Sequence, residues 1–177
     1  RAFPIAGRDH AGRQAHFDVV VLTKNYGWVK GSTTELERGD ARLTAQDIEE
    51  EILAPQVRKG LAPAQELIAV GLASVEGDIA REEQRGGLRA VRIADWLRGA
   101  IGRSMPLMTL NLGRYIDLCS DCETDDTSWQ RPVMIVAIKK SDPGTDIGEA
   151  LRDAMSNKAN LPSPDRYSAF VLSKYTK

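Results

Sequence analysis

Apolar positions fall into short separated blocks whose spacing changes along the chain. Phe17 to Thr23 is β-branched and apolar, which predicts a buried strand, and Tyr26-Gly27-Trp28-Val29 continues it past a turn. Gly31 to Asp40 is polar and Gly-bearing and reads as a loop. It leads to Thr44, a helix cap with Asp47 three places on, so a helix is expected from Ala45. Ile48, Ile52 and Leu53 share one face of it, Glu49, Glu50 and Glu51 lie largely on the other, and Pro55 kinks or ends it. Leu67 to Leu72 is apolar on all sides and bounded by a Gly-containing turn, which fits an interior strand better than an amphipathic helix. Beyond Gly86-Gly87, Ala90, Ile93, Ala94, Leu97 and Ile101 recur at spacings of three and four, the pattern of a helix with one buried stripe. Pro106 to Leu112 and Arg131 to Lys139 read as two further strands placed to pair, with the polar stretch Cys119 to Gln130 as the loop between them. Thr145 to Ser156 reads as a helix, and Tyr167 to Leu172 as a last strand after the Pro-rich turn Leu161 to Pro164.

This order of elements argues for an α/β sandwich, with helices packed on a mixed β-sheet. The 177 residues are read as one domain, with a core over about 17–140 and a C-terminal helix-strand extension over about 141–177. The tail from Thr145 to Lys177 is long enough to cover an edge of the sheet, which otherwise invites pairing with another chain.

Charge narrows the function classes. The 24 Lys and Arg against 25 Asp and Glu give a net charge of -1, so no broad basic field draws the chain to nucleic acid or to an anionic membrane. The longest apolar run, Pro132 to Ile138, falls well short of the ~18 residues that would span a bilayer. Arg1-Ala2-Phe3-Pro4 carries no signal-peptide pattern, and a chain opening on Arg reads as trimmed, so the compartment stays open. Oligomeric state is equally open.

Residues Leu67 to Ile101 carry a further pattern. Gly71 and Gly77 precede Arg89-Ala90 at fixed distances, and Gln130-Arg131-Pro132-Val133-Met134-Ile135 follows downstream. In these spacings the stretch from about 66 to 138 resembles the OmpA-like (OmpA/MotB C-terminal) peptidoglycan-binding domain. That family has a strand running into a G-[HF]-T-D-x-x-G loop, a helix with N-x-x-L-S-x-x-R-A, and an N-R-R-V-E-I strand. The resemblance implies a site for a zwitterionic cell-wall peptide, in which an acid accepts from the ammonium and an arginine clasps the carboxylate. Arg89 matches the arginine. Ser74 stands where the acid belongs, with Leu72 and Ala73 in place of the aromatic or His and the Thr, and a shift of one residue brings in only Val75. Glu76 and Asp78 share the turn and can reach a cation from another angle. Glu82 replaces the family's Asn, and Gly86 replaces its capping Ser, which lowers cap strength by roughly a few tenths of a kcal/mol.

The expected reading is therefore a non-enzymatic recognition module, degenerate for peptidoglycan, whose ligand-binding residues are Arg89, Ser74, Glu76 and Asp78. Its partner is a protein or a cell-wall peptide, and no catalytic residue, metal or cofactor is assigned. Two plainer readings stand beside it: Arg89 as a helix-surface arginine paired with Glu82 or Glu83, and Gly71 and Gly77 as turn residues. Cys119 and Cys122 form a C-x-x-C that His10 and His16 can complete into four zinc ligands, but without a second tight pair, free thiols or a local disulfide are the simpler states. The alternative function class is a degenerate or mutated PD-(D/E)XK-type metal-dependent nuclease, with Asp18 on one strand and Lys139 ending another. Ala137 occupies the place of the second carboxylate that a metal site needs. Asp18 otherwise caps a turn or meets Arg13.

Overall fold

A strand without polar alternation has to be covered on both faces, and this requirement organises the molecule. The computed structural model describes residues 2–22, 26–52, 54–61, 63–117 and 127–177. In chain order the elements are β1 (Ala2–Arg8), β2 (Gln14–Leu22), β3 (Tyr26–Trp28), β4 (Leu36–Arg38), β5 (Ala41–Arg42), α1 (Ala45–Ile52) and α2 (Pro55–Leu61). They continue with β6 (Glu66–Ala73), α3 (Ile79–Ile101), β7 (Leu107–Arg114), β8 (Val133–Ser141), α4 (Ile147–Ser156) and β9 (Val171–Lys174). Six strands form one mixed sheet in the order β1-β2-β8-β6-β7-β9, and β3-β4-β5 form a small second sheet. Among the described strands only β6 and β7 pair in parallel, joined through α3.

Successive residues of the central strands feed opposite layers. Leu67, Ala69, Val133, Ile135 and Ala137 pack with Ile93, Ala94 and Leu97 of α3, and with Trp28, Leu36 and Ile48 of the accessory segment. Ile68, Val70, Met134, Val136 and Ile138 pack instead with Ala150, Leu151, Ala154 and Met155 of α4. The expected α/β sandwich is present, with a helix layer on each face of the sheet.

Several local expectations change. α3 starts at Ile79, upstream of Gly86-Gly87, because the Asp78 carboxylate accepts from the Arg81 N–H at 3.0 Å and caps the helix there. Gly86 is consequently an interior residue and not a cap. Gly71 lies within β6 and not in a turn: a Cβ there would fall on the Gly86 carbonyl oxygen and 2.6 Å from the Ala90 nitrogen. Two glycines thus bring helix and strand backbones together. The strands expected to pair, β7 and β8, are separated by β6. Pro55 opens α2 and does not merely end α1, as its fixed φ and missing N–H suit a first helical position. The loop expected over Gly31 to Asp40 contains β4, and the last strand begins at Val171, leaving Tyr167 in an isolated bridge to Tyr115. Thr44 and Asp47 cap α1 reciprocally, and β9 covers the outer edge of β7, as expected. Thr23 and Leu53 lie outside the described residues, as do the side chains of Glu51 and Ile52.

Asp9 ties the β1–β2 hairpin to the cap of α4. Its carboxylate accepts from the Arg13 N–H and Nε–H at 2.9 and 2.8 Å and from the Asp146 N–H at 2.9 Å. Burial pushes this carboxyl up, but the backbone donors of Asp146 and Arg13 and the Arg13 guanidinium more than offset it and hold the group at about 2, against 3.8 unperturbed. A depressed folded-state value means stabilisation that is present above pH 3.8 and lost as pH falls towards 2. Urea midpoints should therefore fall less steeply across this window in Asp9→Asn than in the wild type. Equal slopes would contradict the assignment.

Candidate functional site

The carboxyl end of β6 runs into Ser74-Val75-Glu76-Gly77-Asp78, a loop fixed from several directions. The Val75 N–H donates to Gln130 Oε1 at 3.0 Å, and its carbonyl accepts from Arg114 Nε and Nη2 at 3.1 and 2.6 Å. The Ser74 hydroxyl accepts from Arg131 Nη1 at 3.4 Å, and the Glu76 carboxylate accepts from the Thr127 hydroxyl. β7 delivers Arg114, and the short helical turn Ser128–Gln130 before β8 delivers Gln130 and Arg131. The loop is thereby held in one conformation, which is what a preformed site requires.

Arg89 projects from α3 beneath this loop and is only 1% exposed. Its Nε donates to the Ser32 carbonyl and its Nη1 to the Leu72 carbonyl, both at 2.9 Å. The guanidinium carbon lies 5.4 Å from the Trp28 ring centre, and Trp28 stacks in turn on Trp96 at 5.7 Å. The accessory sheet therefore roofs the arginine. Arg131, 5% exposed, donates from Nε to the Trp28 carbonyl at 3.2 Å and from Nη1 to the Thr127 hydroxyl at 2.8 Å.

Both guanidiniums have neutral oxygen partners, and among the described residues neither has a carboxylate within ion-pair distance. Burial, followed by repulsion from Arg131 and Arg85, draws Arg89 down to about 9, with Glu82 and Glu76 acting in the opposite direction. It still carries its charge at neutral pH. Burial raises the Glu76 carboxyl, but the Ser74 and Thr127 hydroxyls and the Arg131 charge leave it lowered overall. The Gln130 amide nitrogen, also buried, has no acceptor among the described residues. Among the described residues the site thus has positive charge and donors in excess, in a place where water screens little.

Of the expected ligand residues, Ser74 and Glu76 belong to one hydrogen-bond network, linked through Arg131 and Thr127, and Arg89 adjoins it through Trp28, whose ring it faces and whose carbonyl accepts from Arg131. Asp78 does not; it caps α3 and lies 3.4 Å from Arg81 Nε on the exposed side. The surface pairing envisaged for Arg89 is absent, since Glu82 pairs with Arg85. Sequence reasoning missed Arg131, Thr127, Gln130 and the roof of Trp28 and Ser32. Arg131 carries a signal, standing in the Gln130-Arg131-Pro132 motif, but sequence alone marks it there only as the start of a strand.

Comparison of the chain with family models, curated proteins and solved structures finds no match.

The other constellations are placed as follows. Asp18 pairs across the sheet with Ala137, and its carboxylate lies 3.3 Å from Lys139 Nζ, while Arg13 is taken by Asp9. Among the described residues no group of three His, Cys, Asp or Glu is arranged to hold a metal. His10 contacts Glu149, His16 lies within β2, and Cys119 and Cys122 lie outside the described residues. No helix of the described residues is long and apolar enough to cross a membrane.

Proposed function

We propose that the chain is a non-enzymatic recognition module with an OmpA-like core, and that it grips the carboxylate of a peptide with Arg89 and Arg131. One observation supports the reading: two arginines at the end of β6 are buried against neutral oxygens, and among the described residues neither has a carboxylate within ion-pair distance. Burying a cation without a counter-ion is costly, so an incoming carboxylate gains more here than at an exposed arginine. It takes over the position held by the Ser32 carbonyl, a neutral acceptor on a charged donor. Ser74 supplies a hydroxyl where an acid would neutralise an ammonium, and Glu76 is engaged by Thr127. These features favour an anionic peptide end over the zwitterionic cell-wall group. Arginine keeps its proton and suits holding charge in place better than proton transfer.

An acetylated dipeptide ending in a free carboxylate should raise the thermal midpoint of the protein, and its C-terminal amide should not. Equal effects of the two, or no effect of either, would count against the reading. Arg131→Gln, checked for folding by circular dichroism, should abolish the difference. Co-sedimentation with peptidoglycan sacculi identifies the source: retention lost in Arg131→Gln assigns the ligand to the cell wall, and no retention leaves a protein terminus.

A further inference from the structure

A second site lies at the same end of the sheet, on the opposite side of the Ser128–Gln130 turn. A cavity of about 760 Å³ opens between this turn and the segment linking α4 to the Pro164–Arg166 turn, which falls within the range of small-molecule pockets. Its aromatic wall is a ladder of rings. Trp129 meets Tyr115 edge-on at 5.1 Å, Tyr115 meets Tyr167 at 5.3 Å, and all three line the cavity. Tyr167 is fixed by its hydroxyl, which donates to the Gln130 carbonyl at 2.7 Å. Trp129, the outermost ring, is 54% exposed, although a large indole is normally covered in a folded protein.

Among the described residues the charged lining has one sign: Lys158 and Arg166 both contribute, and no Asp or Glu does. Arg166 is partly neutralised by Asp117 at 3.4 Å, whereas among the described residues Lys158 has no carboxylate in ion-pair reach. Asn160 and Ser163 add amide and hydroxyl groups, able to orient a ligand without contributing charge.

We infer that this cavity binds a small organic anion carrying a flat ring, the ring lying against Trp129 and the anionic group between Lys158 and Arg166. An aromatic carboxylate and a nucleotide share this chemistry. The site is independent of the Arg89 and Arg131 grip, and either can fail without the other.

Calorimetric titration of the full chain with 2-naphthoate, its neutral amide and adenosine monophosphate tests the inference. At least one anion should bind, and the neutral amide about tenfold or more weaker than naphthoate if naphthoate is the one that binds. The tighter of the two anions identifies the ligand class. Lys158→Gln together with Arg166→Gln should weaken the anion about tenfold, and Trp129→Ala should weaken it comparably. These side chains are exposed, so the variants are expected to fold, which circular dichroism checks. Failure of both anions to bind, equal binding of naphthoate and its amide, or unchanged affinity in the charge variant would each overturn the inference.

Discussion

Gly71→Ala is expected to cost about 3 kcal/mol or more of folding stability, the upper end of what overpacking a core produces. Backbone, not a flexible side chain, stands in the way: the new methyl would meet the Gly86 carbonyl and the Ala90 nitrogen. Relief would require α3 to move off β6, dragging Ile93, Ala94 and Leu97 away from the sheet. Gly99→Ala in the same helix is the matched control, because nothing lies within 4 Å of a Cβ at that position. There the substitution should stabilise by about 0.4–1 kcal/mol, since alanine restricts the unfolded chain and favours helix. Urea denaturation of the two variants separates the cases. A Gly71→Ala protein as stable as the wild type would mean that helix and strand are not seated this closely.

Arg89→Ala is expected to be comparably damaging, again by about 3 kcal/mol or more. Hydrogen bonds to a charged donor contribute about 1.5–3 kcal/mol each, and this side chain makes two, to carbonyls that alanine leaves unpartnered. It also supports the Trp28 ring from below. Arg89→Met is more informative. Methionine keeps most of the packing, and it removes a buried charge whose presence is itself unfavourable. The methionine variant should therefore recover much of the stability lost in alanine while failing to respond to a free peptide carboxylate. A methionine variant that is as unstable as alanine would make Arg89 a structural staple between α3 and the accessory sheet.

How far the sequence reveals this arrangement depends on the range of the forces involved. β6, β7 and β8 are legible because their own residues are apolar or β-branched, and the start of α1 because Thr44 and Asp47 cap one another within a single turn. β1 is not legible: Ala2–Arg8 is an edge strand with Pro, Gly and Arg in it, and its pairing with β2 supplies what its composition lacks. β4 and β5 are too short for any period to appear. The start of α3 is a competition between two local signals, the Asp78 cap and the Gly86-Gly87 pair. The glycines permit close packing, and that packing offsets their poor helix propensity. Strand order is the least local feature of all, since nothing within Pro106 to Lys139 specifies that β6 will be inserted between β7 and β8.

The candidate site divides along the same line. Arg89, Ser74 and Glu76 can be picked out because they sit near one turn in sequence. The burial of Arg89 cannot, because its roof comes from Trp28 and Ser32, more than fifty residues earlier in the chain. Arg131 enters from the opposite direction, and only the fold brings the two guanidiniums together. An arginine on a helix is assigned to solvent by default, and tertiary packing overrides that default here.

The exchange proposed for Arg89, of a neutral carbonyl for an anionic ligand, is reported by its own Nε–H. Held against Ser32 in a buried position, that proton should give a distinct resonance in a ¹H–¹⁵N spectrum, assigned by its loss in Arg89→Met. On titration with the acetylated dipeptide the Arg89 Nε resonance should shift saturably, and the C-terminal amide should leave it in place. A resonance unmoved by the free carboxylate, or moved equally by the amide, would contradict the account.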